Sequence, residues 1–340
     1  MSHDSKTSNS DDKTPRRTWG QLVSAAGPFV ALLVVVAIFW GADSLRTRGG
    51  AFTTLKNFQT VCVHASPVAV AALGMLLIII AGGIDLSVGA AIALAATVLA
   101  WCLDAGYPPL VSVSIGVLTG CAAGFVNGLL ISLLRVVPFI VTLGTMTLFQ
   151  GVARIIAGDT PIRPHGEIPS WIPALQTPTP DPAWLLVSRG VWLMLALAIV
   201  VAVVLRYTVF GRHVFALGSN ESTARLCGIN VPWNRIAIYA LAGLFVGVAG
   251  LFQFAILEEG DPTSGLGKEL RIIAAVVIGG GSLSGGRGSV IGTLSGALIM
   301  AVIDNGCTIL RVPDPYKNVI VGVIIIAAVT IDQLRHRRQE

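Results

Sequence analysis

The chain has 340 residues, of which 54% are hydrophobic and 12% charged, and its mean hydropathy is +0.78. Soluble domains carry about 25% charged residues. These figures exclude a disordered chain and a soluble enzyme, whose surface needs more polar cover than 23 basic and 18 acidic residues supply. The net charge of +5 does not point to nucleic acid, because the basic residues sit in short segments between apolar runs and form no single basic face.

What remains is an all-α integral membrane protein. Residues 1–18 are polar, and Arg16 and Arg17 precede the first apolar run with no small-residue cleavage site after it. A cytoplasmic anchor is therefore expected in place of a removed signal peptide. A span needs roughly 20 apolar residues. Ten candidates follow in order, near 22–42, 61–81, 85–104, 110–134, 138–157, 190–207, 235–257, 270–286, 289–310 and 317–333. With the N-terminus inside, most Lys and Arg fall in inside segments, and both termini are expected in the cytoplasm. The basic tail 335–340 agrees, and Glu258, Glu259, Asp261 and Glu269 are expected in one outside loop.

Between the second and third spans lies Gly82-Gly83-Ile84-Asp85-Leu86-Ser87-Val88-Gly89. The glycine pair breaks one helix, and Asp85 or Ser87 caps the next. The alternative is an intramembrane carboxylate that meets substrate or a proton. Farther on, Pro138 opens a span at its first turn. Phe139 follows it in the same motif, and Thr142, Gly144 and Thr145 give small and hydroxyl-bearing positions that suit helix packing or, on the sharper reading, a polar path. The outside segment 158–189 holds seven prolines and is expected to be extended or turn-rich.

The inside loop 206–234 contains Gly218-Ser219-Asn220-Glu221-Ser222-Thr223-Ala224-Arg225-Leu226-Cys227-Gly228-Ile229. Ser219 or Asn220 can cap a helix, Glu221 and Arg225 form an i,i+4 pair, and Gly228 can stop it. The spacing predicts a two-turn cytoplasmic helix; the alternative is a solvated linker. Leu283-Ser284-Gly285-Gly286-Arg287 resembles the signature string of ATP-binding cassette ATPases. The chain has no Walker A string, so those glycines read as a tight cytoplasmic turn. Five dispersed cysteines read as small buried hydrophobes. No catalytic constellation stands out, and the five histidines show no metal-ligand spacing.

Taken together, four stretches resemble the permease subunit of bacterial ABC importers for monosaccharides, of the ribose/xylose/galactoside type. They are Gly82–Gly89, the run from Asn127 through Pro138 to Met146, Gly218–Ile229, and Val277–Gly292. The resemblance covers roughly residues 55–333 of a permease domain spanning 19–334. It implies ten spans and a pore made by two permeases, either two copies or this chain with a homologue. Two separate ATP-binding cassette subunits carrying ATP and Mg would bind below. A periplasmic or lipid-anchored sugar-binding protein would deliver substrate at the bacterial inner membrane. The chain itself would bind no cofactor, and 218–229 would dock on the ATPase. The rival expectation is an ion-coupled secondary transporter with Asp85 or Asp304 as its carboxylate. A scaffold protein is a third, disfavoured by the defined cytoplasmic helix.

Overall fold

The computed structural model describes residues 19–46 and 50–337, and the expected N-terminal tail 1–18 lies outside them. The described chain is helical, with one isolated antiparallel bridge, Ile162 to Gly260. The helices run α1 Trp19–Arg46, α2 Leu55–Ile80, α3 Val88–Asp104, α4 Pro109–Leu134, α5 Pro138–Ala157 and α6 Arg189–Tyr207. They continue with α7 Val209–Ser219, α8 Glu221–Leu226, α9 Val231–Leu257, α10 Lys268–Ile278, α11 Val290–Ile309 and α12 Asp314–Arg337. Seven described segments are long and apolar enough to cross a membrane: Gly27–Leu45 within α1, together with α2, α4, α5, α6, α9 and α11. α3 is a shorter apolar helix of 17 residues.

α2 is the buried centre, and α9 lies beside it against α3 and α4. The most extensive helix pair is α4 with α9. Its contact is backbone on backbone. α4 carries Gly116, Gly120, Gly124 and Gly128, one per turn, and Gly120, Gly124 and Gly128 meet Gly247, Gly243 and Tyr239 of the antiparallel α9. A Cβ on Gly124 would stand 2.1 Å from the Tyr239 carbonyl oxygen, and one on Gly120 2.4 Å from the Gly247 nitrogen. Small residues at every fourth position let helix backbones approach, which is how helices associate where lipid supplies no hydrophobic drive.

The structure corrects the expected span 270–286. α10 has only 11 residues and stops at Ile278, a length of about 16 Å. Gly279–Ser289 then forms a turn-rich connection. The segment before the helix packs on α3. A Cβ on Gly260 would touch Ala100 and Thr97 of α3, and one on Gly265 would strike Gly89 and Ala93. The segment from Gly260 to Gly265 therefore descends along α3 by about 10 Å, seven residues of helical rise. Glu269 does not share a position with Glu258 and Glu259: a Cβ on Gly89 would lie 2.5 Å from its Oε2.

The proline-rich segment makes two short 3-10 turns, Pro173–Leu175 and Ala183–Leu185, and packs back on the helix ends. Gln59 donates to the Leu186 carbonyl at 2.7 Å and Ser66 to Gln176 Oε1 at 3.0 Å. Arg163 pairs with Glu259 at 2.6 Å, and His165 Nδ1 lies 2.7 Å from Asp104. Cys62, Cys102 and Cys307 are buried, whereas Cys227 is exposed.

If the α4–α9 contact holds the bundle, Gly124→Ala will destabilise the purified protein by about 1–3 kcal/mol, the usual cost of overpacking. Gly151→Ala, inside α5 and with nothing within 4 Å of its new methyl group, will not destabilise it and will add about 0.5–1 kcal/mol from helix propensity. Thermal unfolding in detergent, followed by size exclusion, distinguishes the two.

Candidate functional site

Two sites take shape, one a polar cluster inside the bundle and the other a junction at the α7–α8 end. The first begins where α2 ends. Gly82 adopts φ +80°, and the Gly82 and Gly83 amides donate back to Ile79 and Ile78 at 3.0 and 2.9 Å. This closes α2 as a Schellman cap and turns the chain toward α4 and α5. Asp85 Oδ1 then accepts the Ser87 amide at 2.8 Å and the Ser87 hydroxyl at 2.6 Å. Ser87 occupies the N-cap position of α3, but its hydroxyl points to Asp85 and makes no capping bond. Asp85 thus secures the turn and leaves the first α3 amides uncapped by a side chain.

Asn127 of α4 joins this turn, donating to Ser87 Oγ at 2.8 Å and to Asp85 Oδ2 at 3.3 Å. Its carbonyl oxygen accepts the Thr145 hydroxyl of α5 at 2.6 Å. Thr142, one turn earlier, accepts the Leu86 amide at 3.1 Å. All five side chains are buried. The cluster ties α3, α4 and α5 together with every carboxylate oxygen engaged. Phe139 and Gly144 are exposed on α5 and make no bond to this cluster through their side chains, and nothing within 4 Å would meet a Cβ at Gly144. They are not packing positions within this chain. Asp304, the other expected intramembrane carboxylate, faces Arg271 at 3.4 Å.

The second site brings together residues that the sequence holds apart. Gly218, at the end of α7, abuts both the last carbonyl of α2 and the turn after α10. A Cβ on Gly218 would stand 1.7 Å from the Ile80 oxygen and 2.6 Å from the Gly286 nitrogen. The Gly286 amide itself donates to Ile80 at 2.8 Å. Gly285 and Gly286, at φ +88° and +72°, shape the turn that reaches this point. Ser282 and Ser284 hydroxyls lie 2.9 Å apart within it, and Ser284 and Arg287 are exposed.

From that junction the chain enters α8. Asn220 is the N-cap, its Oδ1 accepting the Thr223 amide at 2.8 Å; Ser219 is the residue before it. Glu221 Oε1 meets Arg225 at 3.0 Å, and Gly228 at φ +82° ends the helix with a Schellman closure that returns the Ile229 amide to Ala224 at 3.1 Å. Ala224 is buried, whereas Leu226 is 88% exposed beside the half-open Arg225. Sequence reasoning missed Arg235 of α9, which takes the second Glu221 oxygen at 2.7 Å. It also missed the α4 glycines, although their one-per-turn spacing is a signal the sequence carries.

The buried cluster predicts its own cost of disruption. Asn127→Leu leaves one Asp85 oxygen unmet and the Thr145 hydroxyl with only its 3.2 Å bond to the Thr142 carbonyl, and will lower stability by about 2–4 kcal/mol, since a buried unsatisfied group costs about 1–3 and a carboxylate oxygen more. Thr145→Val removes one donor and leaves one acceptor unmet, so its loss will be smaller. Thermal melts of the two variants in the same detergent give the order.

Comparison with known proteins gives a consistent result. Residues 57–329 match the family model described as the branched-chain amino acid transport system / permease component. The ribose import permease protein RbsC of Escherichia coli (strain K12) is 37% identical over 311 residues, covering 89% of this chain and 92% of the relative. RbsC of Bacillus subtilis (strain 168) is 34% identical over 336 residues, 96% and 98% of the two chains. The D-allose transport system permease protein AlsC of Escherichia coli (strain K12) is 34% identical over 314 residues, 91% of each. No solved structure matches the chain. With a family match over most of its length and relatives above 30% identity that it covers almost end to end, the chain belongs to the branched-chain amino acid transport system permease component family.

Proposed function

We propose that this chain is the membrane permease of an ATP-driven ABC importer for a monosaccharide in the bacterial inner membrane. The observation that carries this reading is the similarity over nine-tenths of the chain to permeases named for ribose and allose. The family's own description names branched-chain amino acids, but the individual relatives favour the sugar branch. The ion-coupled alternative finds little support, because Asp85 is engaged by Ser87 and Asn127 and Asp304 faces Arg271.

The assembly is read from the similarity to ABC permease components. Ten passes complete the permease, with α3, α12 and a composite of the descending segment 260–267 and α10 joining the seven long spans. Irregular backbone at membrane depth is tolerated where protein covers it, and α3 covers this segment at Gly89 and Ala100. Both termini face the cytoplasm. Two ATP-binding cassette subunits supply ATP and Mg chemistry. A second permease copy or homologue completes the pore against exposed positions of α5 such as Phe139 and Gly144. A periplasmic or lipid-anchored sugar-binding protein docks over the proline-rich segment 158–189.

The segment Gly218–Ile229 docks on the ATPase. Its support is α8 itself, a capped two-turn helix with Arg225, Leu226 and Cys227 turned outward. Nucleotide then acts by favouring one arrangement of the partners over another, and α8 receives the difference as motion.

Arg225→Ala tests this directly. An exposed helix ion pair contributes only about 0.3–0.5 kcal/mol, so the fold will persist while sugar uptake into proteoliposomes falls about tenfold or more. Gly228→Val, forced into a left-handed conformation at about 1–2 kcal/mol, will lower uptake similarly. The binding protein will keep its sugar affinity in both cases. Normal ATP-stimulated uptake in both variants would count against docking by α8.

A further inference from the structure

Glu221 is the first residue of α8, and both of its carboxylate oxygens are engaged. One meets Arg225 of the same helix at 3.0 Å, and the other meets Arg235 of α9 at 2.7 Å. The two arginines differ in setting: the Arg225 side chain is 65% exposed and that of Arg235 26%. The more enclosed pair is screened less and holds its geometry better. A second bond joins the same turn of α9 to α7, where His213 Nδ1 lies 3.1 Å from Asn234 Oδ1. α7 and α8 are thus pinned at adjacent residues of α9, and α8 packs chiefly on those two helices.

Above Arg235, α9 meets its neighbours at backbone distance. Arg235 lines a cavity of about 20 Å³ with Leu217, Gly82, Gly83 and Tyr239, room for about one water. Tyr239, one turn along, is buried, and a Cβ on Gly83 would lie 2.6 Å from its hydroxyl. The Tyr239 carbonyl in turn bears on Gly124 of α4. A displacement of α9 meets backbone within one turn, so α4 has no room to lag behind.

We propose that Arg235 is a positioning residue that makes α8 move as one body with α9, and through the glycine contact with α4, so that the stroke received at α8 enters the bundle through the Glu221–Arg235 ion pair. This rests on the reading of 218–229 as the docking segment. It adds to that reading which spanning helices receive the motion and which side chain conveys it.

The test uses the whole transporter, with its ATPase subunits and sugar-binding protein, in proteoliposomes. Sugar imported per ATP hydrolysed is measured for E221Q, R235Q and the double variant. Each will lower the ratio about fivefold or more, the lower range of coupling between linked sites, and the double variant will lose no more than either single one. R235K, which keeps the charge but not the planar fork, will fall between wild type and R235Q. In a C227S background, E221C/R235C joined by a short bifunctional thiol reagent will retain import, because the tether imposes what the ion pair already does. Additive single losses, or import abolished by the tether, would overturn the inference. The docking reading is checked separately through exposed Cys227. If a thiol cross-linker joins it to the ATPase in the wild-type complex and the losses are still additive, this inference alone falls. If Cys227 does not reach the ATPase, docking falls and this inference with it.

Discussion

The backbone contact between α4 and α9 is the constraint on which the other features of the bundle depend. At Gly120, Gly124 and Gly128 there is no side chain between the helices, and at Gly243 and Gly247 there is none on the other side. Such a contact cannot be repacked by rotating a rotamer. It sets the register of the two helices to within a residue, because a shift of one would place a Cβ against a carbonyl. With α9 held this way, Tyr239 is placed under Gly83 and Arg235 over α8, while Asn127 on α4 is presented to the turn at Asp85. The contact and the two sites belong to one geometry.

The two sites differ in kind. The cluster of Asp85, Ser87, Asn127, Thr142 and Thr145 is closed, its groups meeting one another within the chain. A satisfied buried network of this sort rigidifies three helices and specifies their arrangement. The junction at Gly218, Ile80 and Gly286 is a different device, in which three chain segments separated by more than 60 residues meet with almost no side-chain atoms. At this junction the end of α7 meets the end of α2 and the α10–α11 turn backbone to backbone, whereas α8 meets α9 through the Glu221–Arg235 side chains.

The segment between α9 and α10 shows why a count of apolar run length overestimates a helix here. Residues 270–286 are apolar enough to suggest a continuous helix, but Gly279, Gly280 and Gly281 close α10 early, with Gly280 at φ +89°. The charged and turn-forming residues 258–269 look like a solvent loop, yet Gly260 and Gly265 fit against α3 because they lack side chains. A hydropathy count sees polarity at those positions and has no means of seeing cover.

Taken alone, the sequence determined the features governed by near neighbours. The apolar content and its run lengths establish a helical membrane protein, since every backbone group in a bilayer must be satisfied within the chain. The helix α8 was legible as a capped two-turn helix, because its Glu221–Arg225 pair and its stop at Gly228 act within four residues, while the structure decided between Ser219 and Asn220 as its cap. Only the tertiary structure decided which glycines serve as contacts, that Asn127 would bind Asp85 across 42 residues of sequence, and that Glu221 would share its carboxylate with Arg235. Those pairings depend on the relative register of helices far apart in the chain. That register is set by where two backbones can approach without a Cβ between them.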